Sequence, residues 1–312
     1  MMIADYLALN LDQAAPESVN GCSNGDVRYA VNLPEDHYKP CPEAEALPAD
    51  LQGPVVKLAD WSGSRIYPHT KRDIWIYRPV DVRSEEGMKV IIFNDGGAYL
   101  SRHGAVRATR VLDRLHRAGG LKNTVAVFVN PGQPAEQHVP AAPIESYGPQ
   151  EAQRSWEYDR LTADYGRFLA EDILPLTENC LDCKISPAAT DRIICGISSG
   201  GIAAFNAAWH FPHTFGNVIS HCGSFTNIWG GHHYPYLVRT TPRKPIRVFL
   251  QSGENDAQTL FGDWGLANKA MASALQYAGY QMRFEFGTGG HTLKHAGACF
   301  AEAIRWIWST DD

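Results

Sequence analysis

Ser198, Asp256 and His291 follow one another along the chain, each in a polar or glycine-bearing stretch just after an apolar run. Together they suit acyl transfer through a serine nucleophile. A serine hydroxyl attacks poorly until a base takes its proton, and that base needs a third group to hold its tautomer. Around the serine the residues read Gly196-Ile197-Ser198-Ser199-Gly200-Gly201, a G-x-S-x-G with one extra glycine. Arg192-Ile193-Ile194-Cys195 comes before it and the small-residue run Ile202-Ala203-Ala204-Phe205 after it. Strand, sharp turn and helix in that order predict a nucleophile elbow. The hydroxyl then projects above the sheet, and the helix N-terminus faces charge developing beside it.

The acid and the base should each sit in a loop just past the C-terminal end of a strand. After the strand ending at Leu250 comes Gln251-Ser252-Gly253-Glu254-Asn255-Asp256, and after the strand ending at Phe286 comes Gly287-Thr288-Gly289-Gly290-His291. Asp256 and His291 are the candidates, with Glu254 and His295 as local rivals. An oxyanion needs two amide donors. Ser199, directly after the nucleophile, should give one. The turn Asn94-Asp95-Gly96-Gly97-Ala98-Tyr99 should give the other from Gly97, with Ala98 as the alternative.

The elements that must position these residues alternate. Apolar or β-branched runs at 73–77, 90–93, 125–129, 217–220, 246–250 and 282–286 read as strands, several of them buried on both faces. Helices are expected from about Ala105, from Tyr158 to Leu176, from Asp263 to Ala278 and from Ala296 to Trp308. In the second, Leu161, Tyr165, Phe168, Leu169 and Ile173 make one apolar stripe. This is an α/β pattern: a mostly parallel central sheet with helices on both faces and no large cap. Residues 1–55, rich in Pro, Asp, Glu and Asn, read as an irregular N-terminal extension, and 56–312 as the catalytic domain.

Composition excludes several classes. A net charge of -6 offers no basic surface for nucleic acid or an anionic membrane, and no apolar run approaches the roughly 18 residues that span a bilayer. The start carries no basic segment followed by an apolar one. The seven cysteines follow no disulfide framework, and there is no N-x-S/T sequon. A cytoplasmic protein with free thiols is expected. Cys195 and Cys222 read as small core residues. Cys180 and Cys183 form a lone C-x-x-C without a second pair, and His232-His233 reads as a loop pair. No metal and no cofactor is expected.

The chain resembles the esterase D / enterochelin esterase-like group of α/β-hydrolases, which includes bacterial feruloyl esterases. The resemblance rests on Tyr77-Arg78-Pro79, Phe93-Asn94-Asp95-Gly96-Gly97, Arg154-Ser155-Trp156-Glu157-Tyr158, the Gly196–Gly201 elbow, Gly253-Glu254-Asn255-Asp256 and Gly289-Gly290-His291. It spans roughly residues 61 to 310. It implies an α/β-hydrolase fold and a serine carboxylic ester hydrolase working through an acyl-enzyme on a small-molecule ester. It favours Asp256 over Glu254 and His291 over His295, and it places Arg154 and Glu157 near the active-site rim. Asn94-Asp95 departs from the Leu-His or Leu-Asp of many relatives, and 229–235 matches no substrate-specific pattern. Arg154 and Glu157 are expected to pair at the rim and to position the acyl or alcohol part of the substrate, without entering the proton transfers. Tyr99, Trp156, Trp229 and Tyr234 are expected to line a groove for an aromatic or bulky group. The alternatives are an acyltransferase with the same triad and a non-catalytic binding protein on the same fold. Nothing in the pattern specifies the ester or an oligomeric state.

Overall fold

The computed structural model describes residues 26–29, 37–82 and 87–309. Its strands are β1 Asp26–Tyr29, β2 Val55–Trp61, β3 Thr70–Tyr77, β4 Lys89–Asn94, β5 Thr124–Val129, β6 Gln133–Pro134, β7 Arg192–Ile197, β8 Asn217–His221, β9 Arg247–Asn255, β10 Gln258–Thr259, β11 Gly262–Asp263 and β12 Met282–Gly290. The central sheet runs in the order β1-β12-β9-β8-β7-β4-β5-β3-β2, with β6 against β3. Every pairing from β1 to β5 is parallel, while β3 and β2 join antiparallel at one edge. Central strands β4, β5 and β7 carry continuous apolar runs because both of their faces are covered. In β4, Val90 and Ile92 point into one core, and Ile91 and Phe93 into the other.

The helices are α1 Gly96–Leu100, α2 Ala108–Arg117, α3 Pro149–Tyr158, α4 Asp164–Phe168, α5 Ser199–His210, α6 Tyr234–Thr240, α7 Trp264–Tyr277 and α8 Leu293–Ile307. A π-helical turn, Leu169–Ile173, carries α4 on into the helical segment Leu174–Leu181. Apolar residues of α2 and α8 fill one core and those of α4, α5 and α7 the other. This is the α/β-hydrolase fold. Asp263 caps α7, its side chain accepting from the Leu266 amide.

The helix expected over 158–176 is not one piece. Tyr158 ends α3, and residues 159–163 turn before α4, so Leu161 lies in the turn. The buried carboxylate of Asp159 takes the Ser155 hydroxyl there, a side-chain bond that competes with continued helix. Of the N-terminal stretch, residues 1–25 and 30–36 lie outside the described residues. Asp26–Tyr29 forms the edge strand on β12, and Tyr38, Cys41 and Ala44 are buried against the domain. Among the described residues no helix is long and apolar enough to cross a membrane.

Candidate active site

Ser198 joins β7 to α5 with φ 59° and ψ −124°, a backbone region that side chains avoid. The neighbouring glycines make the turn possible. A Cβ on Gly196 would collide with the Gly200 backbone, and one on Gly201 would come within 2.7 Å of Ser220 Oγ. The elbow lifts Ser198 Oγ to 2.8 Å from His291 Nε2, and His291 Nδ1 lies 2.5 Å from Asp256 Oδ1. With Nδ1–H donating to the carboxylate, Nε2 is left to accept the serine proton. Asp256 accepts two further bonds, from Ser252 Oγ at 2.5 Å and from the Ala257 amide at 2.8 Å. Burial alone would raise its pKa, but the bonds from His291 and Ser252 outweigh it and hold the carboxyl below its usual value.

The two rivals lie elsewhere. Glu254 is exposed. His295 is buried in the first turn of α8, with Nδ1 3.1 Å from Gln251 Nε2 and its ring stacked on Tyr38. Burial pushes its pKa down to about 4. The two expected oxyanion donors differ in readiness. Ser199 opens α5, where first-turn amides lack an intrahelical acceptor. The Gly97 amide instead donates to Asn130 Oδ1 at 3.0 Å, and Ala98 donates to the Asp95 carbonyl at 2.9 Å. Gly97 is therefore an engaged donor here, not a bare one.

The expected Arg154–Glu157 pair does not form. Arg154 makes a two-pronged bridge to Asp95, with both contacts at 2.8 Å, and so braces the Asp95-Gly96-Gly97 turn. Glu157 is in the core, not at the rim: it meets Arg72 at 2.7 and 2.9 Å and also accepts from Gln153 and the Gly132 amide. The two residues, three apart on α3, reach different partners, Arg154 the Asp95 turn and Glu157 Arg72 and the loop after β5. Tyr99 is likewise no groove residue. It is fully buried, with its hydroxyl 2.8 Å from His221 Nδ1 and its ring against Phe93. Tyr234 is buried too, donating to Asn206 and packed edge-on to Phe205. Both rings were placed by chain proximity, but each turns inward because its hydroxyl has a buried partner.

Trp156 and Trp229 do meet, nearly perpendicular, with centroids 6.1 Å apart, and both are half-buried. Arg160 stacks on the Trp156 ring at 3.8 Å. A cavity of about 290 Å³ opens beside Trp156, lined also by Tyr67, His138 and Gln153. The Trp229 indole donates to Ser155 Oγ, which in turn donates to Asp159. Burial raises the Asp159 pKa to about 6, against the pull of Arg154 and the hydroxyls of Ser155 and Ser199.

Other residues at the site carry no signal in the sequence. Ser224 Oγ lies 3.3 Å from Ser198 Oγ and accepts from Trp264 Nε1, whose ring stands edge-on to His291. Since Trp264 can only donate, the Ser224 proton is left to point at Ser198 Oγ. Asn94 donates to the Gly200 carbonyl at 2.7 Å and ties β4 to the elbow. Ser252 was visible in the acid loop, two residues before Glu254, but no periodicity marks a serine that braces a carboxylate.

A family model described as "Putative esterase" matches residues 67–307. The chain belongs to that family. Among its relatives is an iron(III) enterobactin esterase of Dickeya dadantii (strain 3937), 28% identical over 172 residues, covering 49% of this chain and 37% of the relative. An iron(III) enterobactin esterase of Escherichia coli O6:H1 is 23% identical over 291 residues, covering 90% of this chain and 62% of the relative. The chain thus spans less than two thirds of the length of either relative. The enterobactin esterase of Shigella flexneri, solved in the presence of enterobactin, superposes with TM-score 0.65 at 20% identity, covering 86% of this chain and 62% of that one. A ferulic acid esterase from the anaerobic fungus Anaeromyces mucronatus gives TM-score 0.64 at 17% identity, covering 85% and 95%. The fold of this esterase-family member is shared with both.

Proposed function

We propose that the chain is a serine carboxylic ester hydrolase that works through an acyl-enzyme. One observation carries the proposal: His291 lies between Ser198 and Asp256, at 2.8 Å from one and 2.5 Å from the other. Membership of an esterase family supports it. Ser198 Oγ attacks the ester carbonyl while His291 Nε2 takes its proton. The imidazolium formed is stabilised by Asp256 and then returns the proton to the leaving alcohol. Water, deprotonated by the same nitrogen, releases the acid. The Ser199 amide holds the oxyanion, with the Gly97 amide exchanging Asn130 for the substrate oxygen as the second donor. The substrate is a small ester whose bulky or aromatic part lies on the Trp156–Trp229 corner. The name of the ferulic acid esterase makes aromatic acyl esters the first to assay, with enterobactin beside them for the name of the other relatives.

The test is Ser198→Ala with a panel of aromatic and acetyl esters. The variant should keep its fold by circular dichroism and lose at least about 10⁴-fold in kcat on every ester. Turnover near that of the parent in a folded variant removes the mechanism.

A further inference from the structure

We propose that Cys222 makes the His291–Asp256 pair an inhibitory site for a thiophilic divalent cation such as Zn²⁺ or Cd²⁺. The inference rests on His291 being the base of the reaction proposed above. Cys222 follows β8 with φ 45°, a left-handed conformation unusual for a residue with a side chain. Its amide donates to the Gln251 carbonyl, which fixes this bend between β8 and β9. The bend places the fully buried thiol behind the triad. One ligand atom each from Cys222, Asp256 and His291 lies within 4.8 Å of the others. The thiol's own hydrogen-bond partners are distant, the Gly290 carbonyl at 3.8 Å and Gln251 Oε1 at 3.9 Å.

Thiolate, imidazole and carboxylate are a donor set that zinc and cadmium take, and that magnesium and calcium do not. Tetrahedral bonds of about 2.0–2.3 Å put ligand atoms about 3.5 Å apart, so side-chain rotations of the order of an ångström close the site. The Gly290 carbonyl or a water completes it. The ion enters past the imidazole, since the His291 side chain is 29% exposed and that of Asp256 fully covered.

The protons balance as follows. The Cys222 thiol loses its proton to solvent and forms the metal–sulfur bond. The ion takes the place of the proton between His291 Nδ1 and Asp256, and that proton passes to Nε2. The imidazole stays neutral but now carries Nε2–H, so it can no longer accept from Ser198. One proton is released per ion bound, and inhibition tightens as pH rises.

The experiment titrates Cd²⁺ into the intact protein while following turnover and thiolate-to-cadmium absorption in the ultraviolet. Wild-type protein should lose turnover and gain the absorption together, and EDTA should reverse both. Cys222→Ala and Cys222→Ser, checked for native melting, should keep turnover and lose the absorption. Cys222→Ala should need at least about 100-fold more cation for inhibition. Ser198→Ala should keep the absorption, since the site does not include the nucleophile. That arm reads the metal site even if the proposed hydrolysis fails. No thiolate absorption in wild-type protein at inhibiting Cd²⁺ overturns the proposal without any variant. So does absorption that persists in folded Cys222→Ala, because it then belongs to other thiols.

Discussion

Asp256 at the β9 loop and Glu157 in α3 each hold a nitrogen partner across a short gap, His291 Nδ1 at 2.5 Å and Arg72 Nη1 at 2.7 Å. Their surroundings part them. The Arg72–Glu157 pair has no exposed side-chain surface, and Glu157 also serves Gln153 and the Gly132 amide. The Asp256–His291 pair is closed on the carboxylate side and open on the other, where His291 Nε2 meets Ser198. A pair sealed from solvent has no substrate to act on, so it fixes the α3 corner to β3 and the β5 loop. A pair open on one side, backed by a strained serine, suits the proton transfers proposed above. The strain sits on the same side: Ser198 and Cys222 both hold positive φ around the triad.

The contrast breaks most sharply at Asp256. Asp256→Asn should keep the fold and lower kcat by on the order of 10⁴-fold, because an amide no longer fixes the tautomer or balances the imidazolium. Exposed Glu254→Gln, assayed beside it, should stay close to the parent. A reversal of that pair would move the acid. Glu157→Gln should do the opposite. It leaves Arg72 buried with an incomplete partner, so stability should fall by about 3–5 kcal/mol in denaturant titrations while the ranking of esters holds. Unchanged stability together with a KM shift confined to one ester would return Glu157 to the substrate side. A modest effect is expected of Ser224→Ala, about tenfold or less in kcat, the worth of one long hydrogen bond to Ser198.

What the sequence made legible follows the same division. Ser198, Asp256 and His291 sit just past strands, where topology alone brings loop residues to one edge of a parallel sheet, so order along the chain predicted nearness in space. The apolar runs were equally readable, since β4, β5 and β7 are buried on both faces. Arg154 and Glu157 were not. Neighbours three residues apart on α3, they part because Asp95 takes Arg154 and the buried Arg72 takes Glu157, and no apolar stripe marks a buried charge. Tyr99 and Tyr234 misled for a related reason: an aromatic ring beside a site turns inward when its hydroxyl finds His221 or Asn206. The Gly97 amide was readable as a donor but not as one held by Asn130, 33 residues away.

The most direct test of the Ser198–His291–Asp256 account is labelling with a fluorophosphonate, followed by peptide mapping. The account predicts a single adduct on the peptide that carries Ser198, formed at a rate that falls steeply in His291→Ala. A folded protein that stays unlabelled, or an adduct on any other serine, would contradict it.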